Sequence, residues 1–158
     1  MKPMQYFLNE QHHFTYGSLF IRELEGQDTV HLASLFVPAL SDLQAGMLVS
    51  RLMVKRATGE FMALMIFDAS DIFTGVVELY DFRDEQCEIG YRIQKDVQGR
   101  KICTKAVAGV LAYLKTYGIT KATARVKEDN PASLKILQRN GFYKTSEKAG
   151  CITMEVRL

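Results

Sequence analysis

Cysteine is scarce. Cys87, Cys103 and Cys151 are the only three among 158 residues, an odd number with wide spacing and no C-x-x-C pair. A disulfide framework and a cysteine zinc site are thereby excluded, and a reducing cytoplasm is the expected setting. An excess of one charge is lacking too. The formal net charge is +2, so no broad basic surface for nucleic acid is implied. No apolar run approaches membrane-spanning length; "FMALMIF" (61–67) is strand-sized. The opening "MKPMQYFLNEQHHFTYG" has no continuous apolar core of the signal-peptide kind. His12, His13 and His31 lack a consistent ligand spacing, and no metal site is expected. Internal repeats, low-complexity segments and linkers are absent.

What is present reads as an ordinary globular chain. Its 47% hydrophobic and 24% charged residues speak against disorder. Its length suits one domain, residues 1–158, with enough surface to bury a core. Residues 1–16 are expected to be loosely attached, with His12 and His13 a solvated pair. "SLFIREL" (18–24) alternates as a first strand. Asp28 is placed to cap a short helix that Pro38 ends. A second helix runs from a cap at Ser41 or Asp42 to Gly59, with Leu43, Met47, Leu48 and Leu52 expected on its inner face. The period then changes. "EFMALMIFD", "IFTGVVELYDF" and "CEIGYRI" read as three consecutive antiparallel strands.

A polar segment with a single Gly follows, "QKDVQGRK". It opens a helix from about Gly99 to Tyr117, with Cys103, Ala106, Val107, Val110, Leu111 and Leu114 on one face. A strand entering a Gly-containing basic loop and then a helix is how a chain presents N–H groups to phosphate. "ITKATARVK" is the next strand. In "DNPASLKILQRNGF", Asn130 caps a helix with Pro131 at its first position, and Gly141 ends it in the left-handed conformation. A hairpin closes the chain, with Ile152, Met154, Val156 and Leu158 alternating inward. About seven strands and four helices result: an α/β (α+β) architecture with a mixed, mainly antiparallel sheet and helices on both faces.

This order, together with "CEIGYRI", "VQGRKICTKAVAGVLAYL" and "NPASLKILQRNGF", resembles the GNAT superfamily of N-acetyltransferases. The ribosomal-protein-alanine and spermidine-type branch is the most similar. The resemblance covers about Ser18 to Leu158. It implies acetyl-CoA as co-substrate and transfer of the acetyl group to a primary amine, on a peptide or a small molecule. It also implies splaying of the family's fourth and fifth strands. By the same resemblance Ile93, Gln94, Lys95, Gln98, Gly99, Arg100, Lys101, Ile102, Cys103 and Thr104 contact the cofactor, with Asn130 and Ser133 facing the pantetheine or the sulfur. A free N–H near Ile93 would bind the oxyanion. Glu88 is the favoured base and Glu78 the second. Ser133 and Asn130 are the candidate acid-side residues, because Leu137 stands where many relatives have a Tyr.

The loop departs from the family pattern, since Lys101 replaces a Gly and Cys103 a small residue. Lys101 either lends its ammonium to a phosphate or occupies the phosphate's space. Cys103, at a helix N-terminus, is the cysteine whose thiol could be acidified. Two other readings stay open: a CoA-binding module without turnover, and a phosphate of nucleic acid on Lys95, Arg100, Lys101 and Lys105. The near-neutral net charge speaks against the latter. The chain is expected to be a monomer or a homodimer, with no membrane contact.

Overall fold

A computed structural model describes residues 2–98 and 101–158. Gly99 and Arg100, two of the expected cofactor contacts, lie outside the described residues.

The helices are α1 (Pro3–Asn9), α2 (Thr29–Ala33), α3 (Asp42–Ala57), α4 (Ile102–Thr116) and α5 (Pro131–Arg139). The strands are β1 (His13–Tyr16), β2 (Leu19–Glu23), β3 (Phe61–Phe67), β4 (Phe73–Arg83), β5 (Gln86–Ile93), β6 (Lys121–Lys127), β7 (Tyr143–Lys148) and β8 (Cys151–Arg157). They form one eight-stranded sheet in the order β1-β2-β3-β4-β5-β6-β8-β7. Every neighbouring pair is antiparallel except β5 and β6. The fold is therefore α+β, mixed and mostly antiparallel, with one strand more than the expected seven. The addition is β1.

Alternation along the strands divides the core. Val77, Leu79, Cys87, Ile89, Ala122, Ala124, Ile152 and Met154 face α1, α4 and α5, which contribute Phe7, Ala106, Val107, Val110, Leu114 and Leu137. Ala63, Met65, Phe67, Phe73 and Val76 point to the opposite side, where Leu24, Leu35 and Phe61 pack. "FMALMIF" is apolar on both faces because both faces of β3 are covered.

Three local expectations need correction. Residues 1–16 do not form a loose start: Phe7 and His12 are fully buried. The reason is a set of long-range bonds. His12 places one ring nitrogen 2.8 Å from Tyr113 Oη and the other 2.7 Å from the Phe7 carbonyl, which fixes Nε2 as the protonated one. Its ring stacks on Phe7 with centroids 4.3 Å apart. Buried Glu23 accepts the His12 N–H at 2.7 Å and pairs with Arg56 of α3. Arg56 also donates to the carbonyls of Leu8 and Glu10 at 3.0 and 2.6 Å.

Asp28 does not cap α2 with its side chain; a bidentate bond to Arg22 at 2.7 and 2.8 Å claims its carboxylate. The inner face of α3 also differs. Ala45 and Val49 are buried, whereas Leu43 and Met47 are exposed. Small residues let that helix lie close, and its apolar residues occur on all sides, so spacing alone chose the wrong stripe. The cap of α3 is as expected: Ser41 Oγ accepts the Gln44 N–H at 3.2 Å.

Candidate functional site

The site grows from one interruption in the sheet. β5 and β6 pair in parallel only at Gln86/Lys121, Cys87/Ala122 and Glu88/Thr123. Beyond Glu88 the two strands part, while β6 stays paired with β8 along its whole length. The Gln94 N–H donates to the Thr74 carbonyl at 2.8 Å. Antiparallel alternation then makes the pairs two residues on, Arg92/Val76 and Gly90/Glu78, the hydrogen-bonded ones. Tyr91 and Ile93 lie between them and turn their N–H and C=O groups away from β4, into the gap toward β6. Of these four groups, the Ile93 carbonyl accepts from Gln98 Nε2 at 3.4 Å. The splayed pair thus exposes backbone donors in a slot, as the resemblance implied.

Gly75 keeps β4 tight behind this slot. A Cβ there would stand 2.4 Å from the Arg92 carbonyl oxygen. The chain leaves β5 through a 3-10 turn, Lys95–Val97, anchored by buried Val97. It enters α4 at Lys101, whose backbone is left-handed (φ 61°, ψ 13°). That conformation costs an L side chain free energy and suits the Gly that the resemblance leads one to expect at this position. The Lys101 side chain itself is exposed. The first turn of α4 carries no acidic residue, and the helix dipole adds positive potential beside Lys101 and Lys105. Ile102 and Cys103 pack inward instead. Burial pushes the Cys103 thiol up to about 12, opposite to the acidification that a helix N-terminus would favour.

α5 is set against this entrance by the "NPAS" and "RNGF" segments. Asn130 Oδ1 accepts the Ser133 N–H at 3.2 Å, a helix cap as expected. Asn140 Nδ2 donates to the carbonyls of Thr104 and Ile136 at 3.3 and 3.0 Å, which ties the end of α5 to the first turn of α4. Gly141 follows at φ 83° and Phe142 is buried. Ser133 thereby faces β5, and its Oγ lies 2.6 Å from Tyr91 Oη.

The opposite face of the sheet carries the carboxylates. Glu88 is buried and accepts from Arg125 of β6 at 3.1 Å, with Tyr80 across the strand pair as a further hydrogen-bond partner. Glu78 sits opposite Gly90, and its nearest ionic partner, Arg92, is 3.9 Å away. Burial raises the Glu78 pKa, and Arg92 offsets this in part. The Glu78 carboxylate lies beside Gly90: a Cβ there would stand 3.8 Å from Oε2, an ordinary contact.

The expected residues therefore divide into groups. Ile93 and Gln98 touch each other, and Lys101 to Thr104 form the helix entrance. Asn130 and Ser133 lie on the α5 side, and Glu88 on the other face. Gln94 stands apart, because its side chain donates to Ser34 Oγ and braces α2. Lys95 is exposed on the turn. Tyr91 is not among the residues expected at the site; its place two residues before Ile93 on the same strand was the available signal. Among the described residues no three His, Cys, Asp or Glu converge as a metal site, and no helix is long and apolar enough to cross a membrane.

A splayed strand pair with free backbone, a basic helix entrance and a carboxylate across the sheet define the architecture of an acyl-CoA transferase. Residues 19–143 match the acetyltransferase (GNAT) domain, and the chain belongs to that family. The family uses acetyl-CoA. Solved structures with the same fold include RimL, a ribosomal L7/L12 alpha-N-protein acetyltransferase in complex with coenzyme A. Its TM-score is 0.82 at 16% identity, over 93% of this chain and 98% of that one. A ribosomal-protein-S5-alanine acetyltransferase from Vibrio fischeri gives 0.73 at 18%, over 92% and 96%. The spermidine N-acetyltransferase from Vibrio cholerae gives 0.75 at 18%, over 89% and 94%. A search of curated proteins finds no match.

Proposed function

We propose that the protein is an acetyl-CoA-dependent N-acetyltransferase acting on a primary amine, by direct attack in a ternary complex. One observation carries the reading. The N–H groups of Tyr91 and Ile93, without a partner among the described residues, lie in a slot with a lightly paired carboxylate, Glu78, on one face and a hydroxyl, Ser133, on the other.

The groups present suit the co-substrate. The exposed ammonium groups of Lys101 and Lys105 and the start of α4 supply donors and positive potential for a pyrophosphate. The slot edge supplies backbone partners for an amide-bearing arm. The Ile93 N–H is the donor for the oxygen that becomes negative when the amine attacks the thioester carbonyl. Glu78 takes the proton that the ammonium must lose. Its raised pKa moves it toward the working range of a general base. Glu88 was favoured for this role from the sequence. Arg125 and Tyr80 occupy its carboxylate, so we assign it to shaping the acceptor wall and keeping Arg125 in place.

The test is release of free CoA thiol from acetyl-CoA with two acceptor panels, short peptides with free α-amines and polyamines. Turnover is expected with one panel. Glu78→Gln should lower kcat about 100-fold or more and flatten its rise with pH, whereas Glu88→Gln should act mainly on acceptor KM. Tight acetyl-CoA binding with no thiol release from any acceptor would favour the non-catalytic CoA-binding module instead.

A further inference from the structure

The family's usual hydroxyl on α5 is missing here. Leu137 occupies that place and is buried in the core. A different phenol reaches the same helix from the sheet. Tyr91 leaves β5 on the α4–α5 side, beside the splayed edge, and its Oη lies 2.6 Å from Ser133 Oγ and 3.2 Å from the Ser133 carbonyl. We infer that Tyr91 is a positioning residue: it donates to Ser133 Oγ and so turns the Ser133 hydroxyl proton toward the departing CoA sulfur. The inference rests on the function proposed above.

The direction of the chain follows from the chemistry of the two hydroxyls. A phenol is the stronger acid, so it is the natural donor; its one proton is shared between Ser133 Oγ, the shorter contact at 2.6 Å, and the Ser133 carbonyl at 3.2 Å. Burial pushes Tyr91 up to about 12, which keeps it protonated and donating at neutral pH. Ser133 is released from the common duty of a serine in a first helical turn, because Asn130 already caps α5. With one lone pair of Oγ occupied by Tyr91, its own proton is free for a second partner. A donor that is itself a hydrogen-bond acceptor is strengthened by that bond.

In the step concerned, the carbon–sulfur bond of the tetrahedral intermediate breaks and its electron pair goes to sulfur. The Ser133 proton stays on Oγ and hydrogen-bonds to the thiolate. The thiolate takes a proton from water later. Tyr91 changes neither charge nor protonation.

The experiment needs no acceptor. The pKa of the CoA thiol bound to the protein is measured by thiolate ultraviolet absorbance, and calorimetric binding of CoA and desulfo-CoA is compared from neutral pH to about pH 9.5. In the wild type the bound thiol should be more acidic than the free one. Tyr91→Phe keeps the ring in the core and should raise the bound pKa by about one unit, a tenfold loss of thiolate preference. Ser133→Ala should do the same or more, Ser133→Thr should restore it, and desulfo-CoA binding should show no thiol-linked pH dependence in any variant. The double variant decides between routes. The carbonyl of residue 133 survives in Ser133→Ala, so a purely structural Tyr91 would still matter there. Adding Tyr91→Phe to Ser133→Ala should therefore change nothing further. An unchanged bound pKa in Tyr91→Phe, or an additional loss in the double variant, overturns the inference. Failure to bind either CoA or desulfo-CoA would instead overturn the proposed function, and this inference with it.

Discussion

Lys101 opens α4 with a left-handed backbone, φ 61° and ψ 13°. Replacing it by Gly isolates the cost of that conformation. For an L residue the left-handed region costs about 1–2 kcal/mol. Glycine gives back about 0.5–1 kcal/mol through its greater freedom in the unfolded chain. The net expectation for Lys101→Gly is a gain of about 0.5–1 kcal/mol, a rise in Tm of roughly 1–4 °C for a domain of this size. The control is Lys101→Ala, which removes the exposed ammonium but keeps a Cβ; it should stay within about 0.5 kcal/mol of the wild type. Differential scanning calorimetry without ligand reads both. Equal shifts for Gly and Ala, or a lower Tm for Gly, would refute the backbone argument. Repeating the scans with acetyl-CoA separates the second role of the residue. A phosphate contact by Lys101 would weaken binding equally in both variants, whatever their intrinsic stability. A Lys101 that encroaches on the phosphate would instead give tighter binding in both.

Other outcomes follow from groups described above. Arg56→Ala would leave Glu23 buried without its counter-ion and free two carbonyls of the N-terminal segment. A loss of about 3–5 kcal/mol in denaturant unfolding is expected, with Arg56→Lys recovering only part of it. His12 has its pKa lowered from 6.5, chiefly by burial. Its contribution to stability is complete above pH 6.5 and declines as pH falls from there toward the lowered folded value. The urea midpoint of the wild type should drop across that window more than that of His12→Gln. Gly75→Ala would drive a Cβ against the Arg92 carbonyl. It should cost about 1–3 kcal/mol and weaken acetyl-CoA binding by shifting the edge of the slot.

Much of this arrangement was readable before any coordinates, for local reasons. Asn130, Pro131, Gly118 and Gly141 act within a few residues of themselves, so their types alone located helix ends. The alternation in "CITMEVRL" similarly foretold which residues face the core. What stayed hidden depends on partners far away in the chain. His12 beside His13 looks like a solvated pair until Tyr113, 101 residues on, takes its nitrogen. Pro3–Asn9 spans only seven residues, too short for a helical period to stand out. The partner of Glu88 was equally hidden, because Arg125 reaches it only through β6, 37 residues on. The departure at Lys101 was visible as a missing Gly, but its left-handed backbone was not.

The strand order β6-β8-β7 has a consequence for how the chain is completed during synthesis. The last strand, Cys151–Arg157, lies between two strands made before it and pairs with both. Until β8 has left the ribosome, β6 has no partner on that side, and Ala122, Ala124 and Val126 lack the cover of Ile152, Met154 and Val156. A nascent chain stalled before β8 emerges therefore carries a finished β1–β5 half and an open edge on β6, next to the slot between β5 and β6. Emergence of β8 is the event that closes this part of the sheet.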